Sequence, residues 1–129
     1  MKLPAALVRA TAIVVFLQIA LGGLLVFGFI EPLPHIITGF GVLAFAIATL
    51  AVAATSKPRM RQLMGLSIGL VLATVVQILL GFYALATSNN VIVWVHLLLA
   101  TGIYGMSVAG NFIAMRDEYM SRAQVPATH

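Results

Sequence analysis

Four long apolar runs, separated by three short interruptions of different character, make up most of this chain. After Lys2 and Arg9 the first run extends from Ala10 to Ile30 and meets Glu31-Pro32-Leu33-Pro34. The second continues to Thr55 and meets the basic stretch Ser56-Lys57-Pro58-Arg59-Met60-Arg61-Gln62. The third runs from Leu63 to Ala86 and the fourth from Val91 to Met115, with the uncharged Thr87-Ser88-Asn89-Asn90 between them. A helix needs about 20 mostly apolar residues to cross a bilayer, so the pattern predicts transmembrane helices over about 7–30, 33–55, 63–86 and 91–115. Pro32 and Pro34 fit the first turn of the second helix, where a missing N–H costs nothing, and could not sit inside one. From Arg116 onward charged residues mix with Pro126 and small residues, which predicts a flexible tail over 116–129.

The runs also repeat. Gln18-Ile19-Ala20-Leu21-Gly22 precedes His35, and Gln77-Ile78-Leu79-Leu80-Gly81 precedes His96; the glutamines are 59 positions apart and the histidines 61. One helical hairpin present twice accounts for both spacings. The first run begins after positive charge, as a signal peptide does, but it is longer than a signal's apolar region and carries half of the repeat. Because each unit holds two helices, both units enter the membrane in the same direction, as parallel repeats about an axis along the membrane normal. The second and fourth helices then become equivalent, and their histidines lie at similar depth, facing across the bundle.

Composition sets the class. With 62% hydrophobic and 8% charged residues and a mean hydropathy of +1.12, the chain is far outside the range of soluble domains. Four spans use nearly all of its 129 residues, which predicts an all-α membrane protein: one four-helix transmembrane bundle over 1–129, with no soluble domain. There is no cysteine, which excludes disulfides, thiolate ligation and covalent haem attachment. The net charge of +4 has a topological explanation and needs no nucleic acid. Lys2, Arg9, Lys57, Arg59, Arg61, Arg116 and Arg122 lie at the two ends and the middle connection, and the other two connections have none. The positive-inside tendency therefore predicts a multi-pass protein of the cell membrane with both termini cytoplasmic and both histidines near the outer face.

The histidine pair is the candidate chemistry. A neutral imidazole is a good ligand for iron, and hydrocarbon offers it few other partners. Two at one level, on facing helices, are the arrangement that the two axial ligands of a haem iron require. One turn inward from His35 lies Gly39, and from His96 Ala100; with Gly41 and Gly102 these small residues leave room beside the ligands, although small residues also serve ordinary helix packing. Ala46 and Thr49, then Ser107 and Asn111, continue the two stripes. Gln18 and Gln77 lie inside their spans, where an unpaired amide is costly, and so face the bundle. They either contact a haem edge or orient a histidine, or they pin the two hairpins together by interhelical hydrogen bonds. Glu31, four residues before His35, either shapes the helix start through the dipole or takes a proton near the haem as a candidate catalytic residue. Trp94 and Tyr83 suit anchoring at the outer boundary, and His129 belongs to the tail.

With these residues in place the chain resembles the heme A synthase family of cytochrome oxidase assembly proteins. The resemblance lies in Arg9, Gln18-x-x-Leu21-Gly22-Gly23, His35 heading the second helix, Gln77-x-x-Leu80-Gly81 and Val95-His96-Leu97-Leu98-Leu99-Ala100, and it covers all four helices. Most members have eight spans in two such halves; this chain corresponds to one half, similar to the compact archaeal form. The resemblance implies oxidation of the haem O methyl group to the haem A formyl group, a haem B cofactor with haem O or haem A as substrate or product, and His35 and His96 as axial ligands. It also implies that a homo-oligomer can supply a second pocket. The chain departs from the family in three places. Glu31 stands four residues before His35 where a glutamate three residues before is usual, Ile36 follows where an arginine is usual, and the cysteine-containing outer loop is missing.

Two other readings use the same residues differently. A b-type cytochrome would pass electrons between quinol and a membrane partner without modifying haem. A small transporter or packing subunit would need no cofactor, but four-span multidrug exporters depend on an acidic residue inside the first helix, and none is present here.

Overall fold

The computed structural model describes residues 3–55 and 60–123. Lys2, Lys57 and Arg59, three of the cations behind the expected orientation, lie outside the described residues, as does His129. The described chain forms four helices, α1 (Leu3–Val26), α2 (Pro32–Thr55), α3 (Arg61–Thr87) and α4 (Asn90–Ala123), each long and apolar enough to cross a membrane. They pack in a ring: α1 against α2 and α4, and α3 against α2 and α4. The remaining pairs, α1 with α3 and α2 with α4, are the diagonals.

The buried positions explain why these helices close on one another. On α2 they are Gly39, Val42, Ala46, Thr49 and Ala53, on α3 Leu63, Ser67, Leu70, Thr74 and Gln77, and on α4 Ala100, Ile103, Ser107, Gly110 and Ala114. Steps of four and three alternate along all three, the spacing that keeps one narrow seam facing the partners of a bundle. Large apolar side chains such as Phe16, Leu72, Leu79 and Leu98 point outward. Helices in lipid gain little from burying leucine, so close contact between small side chains drives their association. Gly110 marks the tightest approach, since a Cβ there would stand 2.9 Å from Leu66 Cδ2 and 3.1 Å from Val8 Cγ1.

Two apolar clusters fill the interior. One joins Ala5, Val8, Ala53, Leu63 and Ala114, so the beginnings of α1 and α3 meet the later parts of α2 and α4. The other, deeper along the bundle, joins Val15, Val42, Ala46, Leu70 and Ile103. Between them every helix contributes one small hydroxyl, Thr11, Thr49, Ser67 or Ser107, and all four are essentially inaccessible. Each donates to the carbonyl four residues before it, at 2.7 to 2.9 Å, so none needs a partner on another helix.

Two expected boundaries are corrected. Apolarity continues to Ile30, but α1 stops at Val26 because Gly28 adopts φ +74°. There Phe29 N–H donates to Leu24 O and Gly28 N–H to Leu25 O, the paired bonds of a Schellman stop. The expected flexible tail is helical as far as Ala123. Arg116 ties this extension back to α3 by donating to Gln62 Oε1 at 2.8 Å, and lies 3.6 Å from Asp117; no glycine or proline interrupts 116–123. At the opposite end Ser88 closes α3 in the left-handed conformation, and Asn89 Oδ1 accepts from the N–H groups of Val91 and Ile92 to cap α4.

Candidate functional site

His35 is the fourth residue of α2 and His96 the seventh of α4. The up-and-down order of the bundle puts both at the end away from the first apolar cluster, on helices that face each other diagonally. Their rings meet inside the ring of helices, with centroids 6.0 Å apart and planes at 62°. Space for each ring is made by a glycine on the preceding helix. A Cβ at Gly22 would stand 3.0 Å from His35 Cε1, and a Cβ at Gly81 would stand 3.0 Å from His96 Cε1.

Polar groups gather around the pair. Gln18 Nε2 lies 3.3 Å from His35 Nε2, and Thr38 Oγ1 donates to Gln18 Oε1. Gly39 allows this, because a Cβ there would come within 3.0 Å of Gln18 Nε2. On the other side Gln77 Nε2 donates to the His96 carbonyl at 2.8 Å. Three buried atoms at this end have no hydrogen-bond partner: His35 Nδ1, His96 Nδ1 and Gln77 Oε1. A buried polar atom left unpaired costs about 1–3 kcal/mol, so three at one place mark a site shaped for something further.

Most of the expected site residues meet here. Gly39 and Ala100 are buried on the histidine stripes, with Gly39 touching the Gln18 amide. Gly102 instead is exposed, with nothing near its would-be Cβ, and Gly41 faces Val14 of α1, because six residues of helix turn a side chain well away from the histidine face. The glutamines do not pin one hairpin to the other: Gln18 bonds to α2 and Gln77 to α4, so each amide closes its own hairpin. Glu31 is exposed in the connection before α2, and no hydrogen bond among the described residues joins it to His35. Trp94 and Tyr83 are exposed toward the same end, as boundary anchors are.

Thr38 was not among the expected residues. Its signal is its place three residues after His35, on the same helical face. Among the described residues, no group of three or more His, Cys, Asp or Glu side chains gathers, so the site is a pair of imidazoles in amide and apolar surroundings. No protein-family model, curated protein or solved structure matches this chain.

Proposed function

We propose that this chain is a haem-binding protein of the cell membrane in which His35 and His96 ligate one iron from opposite sides. The observation that carries the reading is the facing imidazole pair. A transition metal sits about 2 Å from an imidazole nitrogen, which sets two ligating nitrogens roughly 4 Å apart and the ring centroids further out by a ring radius on each side. The observed 6.0 Å between centroids is of that size. Gly22 and Gly81, which leave space for the two rings, support the same fit.

In this reading Gln18, held by Thr38, orients His35, while Gln77 bonds to the backbone of His96. Gly39 and Ala100 give room beside the ligands. The haem would bring the redox chemistry when bound; the chain would supply the two imidazoles and their amide and apolar surroundings. The matching glycine contacts on the two rings support the hairpins as parallel repeats, and the charge distribution supports cytoplasmic termini. The resemblance to heme A synthases makes the proposed reaction the conversion of the haem O methyl group to the haem A formyl group. Glu31 is its candidate proton acceptor, and a homo-oligomer or an oxidase-assembly partner could complete the system.

One observation favours a second reading, that of a b-type cytochrome exchanging electrons with quinol. Among the described residues, the groups gathered around the imidazoles are two amides, a hydroxyl and glycines, and no carboxylate bonds to either ring. A reduced-minus-oxidised visible spectrum of the purified protein, with pyridine extraction of its pigment, tests the common core of both readings. A low-spin haem is expected. A colourless protein, also after reconstitution with haem B, would overturn both. Production of haem A in a host supplying haem O separates them: formyl product supports the synthase, and haem B alone with rapid quinol reduction supports the cytochrome.

A further inference from the structure

The two imidazoles are held differently, and the difference lies in what reaches each ring. On the α3–α4 side Gln77 Nε2 donates to the His96 backbone carbonyl, and no side chain among the described residues hydrogen-bonds to the His96 ring. On the α1–α2 side Gln18 Nε2 stands 3.3 Å from His35 Nε2, while Thr38 Oγ1 holds the other arm of the amide, at Oε1. Gly39 leaves the slot in which this amide lies, since a Cβ there would stand 3.0 Å from Gln18 Nε2.

The hydrogens along these three side chains follow from what each atom can do. An amide oxygen only accepts, so the hydrogen between Gln18 Oε1 and Thr38 Oγ1 belongs to the hydroxyl. That leaves the amide nitrogen toward His35. It only donates, so its contact with His35 Nε2 is a bond when that nitrogen offers a lone pair, and a neutral imidazole then carries its proton on Nδ1. The opposite tautomer would set two N–H groups against each other at 3.3 Å. Nδ1 is buried without a partner in either tautomer and so does not decide between them. We propose that Thr38 and Gln18 select the Nδ1–H tautomer of His35 and so make Nε2 the nitrogen it offers to a metal, while the tautomer of His96 is left unselected. The use of this selection rests on the reading of the two histidines as ligands: a metal binds the nitrogen without the proton, and α1–α2 settles in advance which one that is. Gln18 and Thr38 are then positioning residues that act through His35.

Long-range proton–nitrogen correlation spectra of the haem-free full chain in lipid nanodiscs, with isotope-labelled histidine and at about pH 8, where an ordinary imidazole is neutral, read the tautomer of each ring. His35→Ala and His96→Ala assign the signals. The ratio of Nδ1–H to Nε2–H at His35 should be about fivefold higher in the wild type than in Gln18→Leu, the factor that one hydrogen bond of about 1 kcal/mol supplies. Thr38→Val, which frees the amide to turn, and Gly39→Ala, which displaces it, should lower the ratio in the same direction. Thr38→Ser, which keeps the hydroxyl, should restore it, and the His96 ratio should stay constant throughout. A merely structural role for Thr38 and Gln18 would lower the melting temperature and leave the ratio unmoved. A wild-type His35 in the Nε2–H form would mean a turned amide, with the Thr38 hydroxyl donating to Pro34 O at 2.9 Å, and would overturn the proposal, as would a ratio unchanged in Gln18→Leu. Because these samples hold no haem, a protein that stays colourless with haem B removes the ligand reading alone, and a failed tautomer shift removes the selection alone.

Discussion

The two hairpins solve the same packing problem and leave different polar groups unsatisfied. In both, a glycine on the first helix receives the imidazole of the second, and the would-be Cβ contact is 3.0 Å in each. The glutamine four residues before that glycine behaves differently on the two sides. Gln18 is used at both ends of its amide, by Thr38 and by His35. Gln77 spends its N–H on the His96 backbone and leaves Oε1 without a partner. The cause is a single position. Thr38 stands three residues after His35, whereas three residues after His96 the chain has Leu99. The shape of the site is thus shared between the hairpins, and its polarity is not: in α1–α2 both ends of the glutamine amide have partners, in α3–α4 the glutamine oxygen has none, and in both the imidazole Nδ1 is unpaired.

The largest effect is expected from the two proposed ligands. Either His35→Ala or His96→Ala should abolish the low-spin haem spectrum, and a protein that loses it with one substitution and keeps it with the other would end the idea of a symmetric pair. Next come Gly22→Ala and Gly81→Ala. Each drives a methyl into an imidazole at 3.0 Å and should cost about 1–3 kcal/mol, with nearly equal drops in melting temperature.

The glutamines should then separate the hairpins. Gln18→Leu strips partners from His35 and Thr38 and should destabilise the haem-free protein by about 1–2 kcal/mol, measured by thermal melting. Gln77→Leu removes one hydrogen bond, to the His96 carbonyl, together with an oxygen already unpaired, and should cost the haem-free protein less, but lower haem retention in a titration more than Gln18→Leu does. Smallest of all is Thr38→Val, which keeps the shape and frees one acceptor on Gln18, for about 1 kcal/mol or less. If Thr38→Val and Leu99→Thr both leave haem retention untouched, the polarity difference between the hairpins has no bearing on the bound group.

How much of this could be read along the chain varied from residue to residue. The spans were legible because lipid requires length and apolarity of a crossing segment, and a linear pattern carries both. The start of α2 was legible from Pro32 and Pro34. The end of α1 was written less plainly: Gly28 lies inside the apolar run, and its left-handed turn, not a loss of hydrophobicity, stops the helix. The histidines could be paired from their spacing, but their distance and the glycines beneath them could not. Gly102 was placed beside the ligand by nearness in sequence and lies instead on the outside of α4, since rotation about the helix axis decides facing.

Local chemistry therefore accounts for four helices long and apolar enough to cross a membrane, their punctuation and two imidazoles at one end, because these follow from how each segment meets lipid or water. The partners of the two glutamines, the exclusion of Gly102 and the layer of four hydroxyls come from somewhere else. Each depends on which faces of distant segments touch, and that is set by close fit between small side chains across helices, a relation no single stretch of sequence contains.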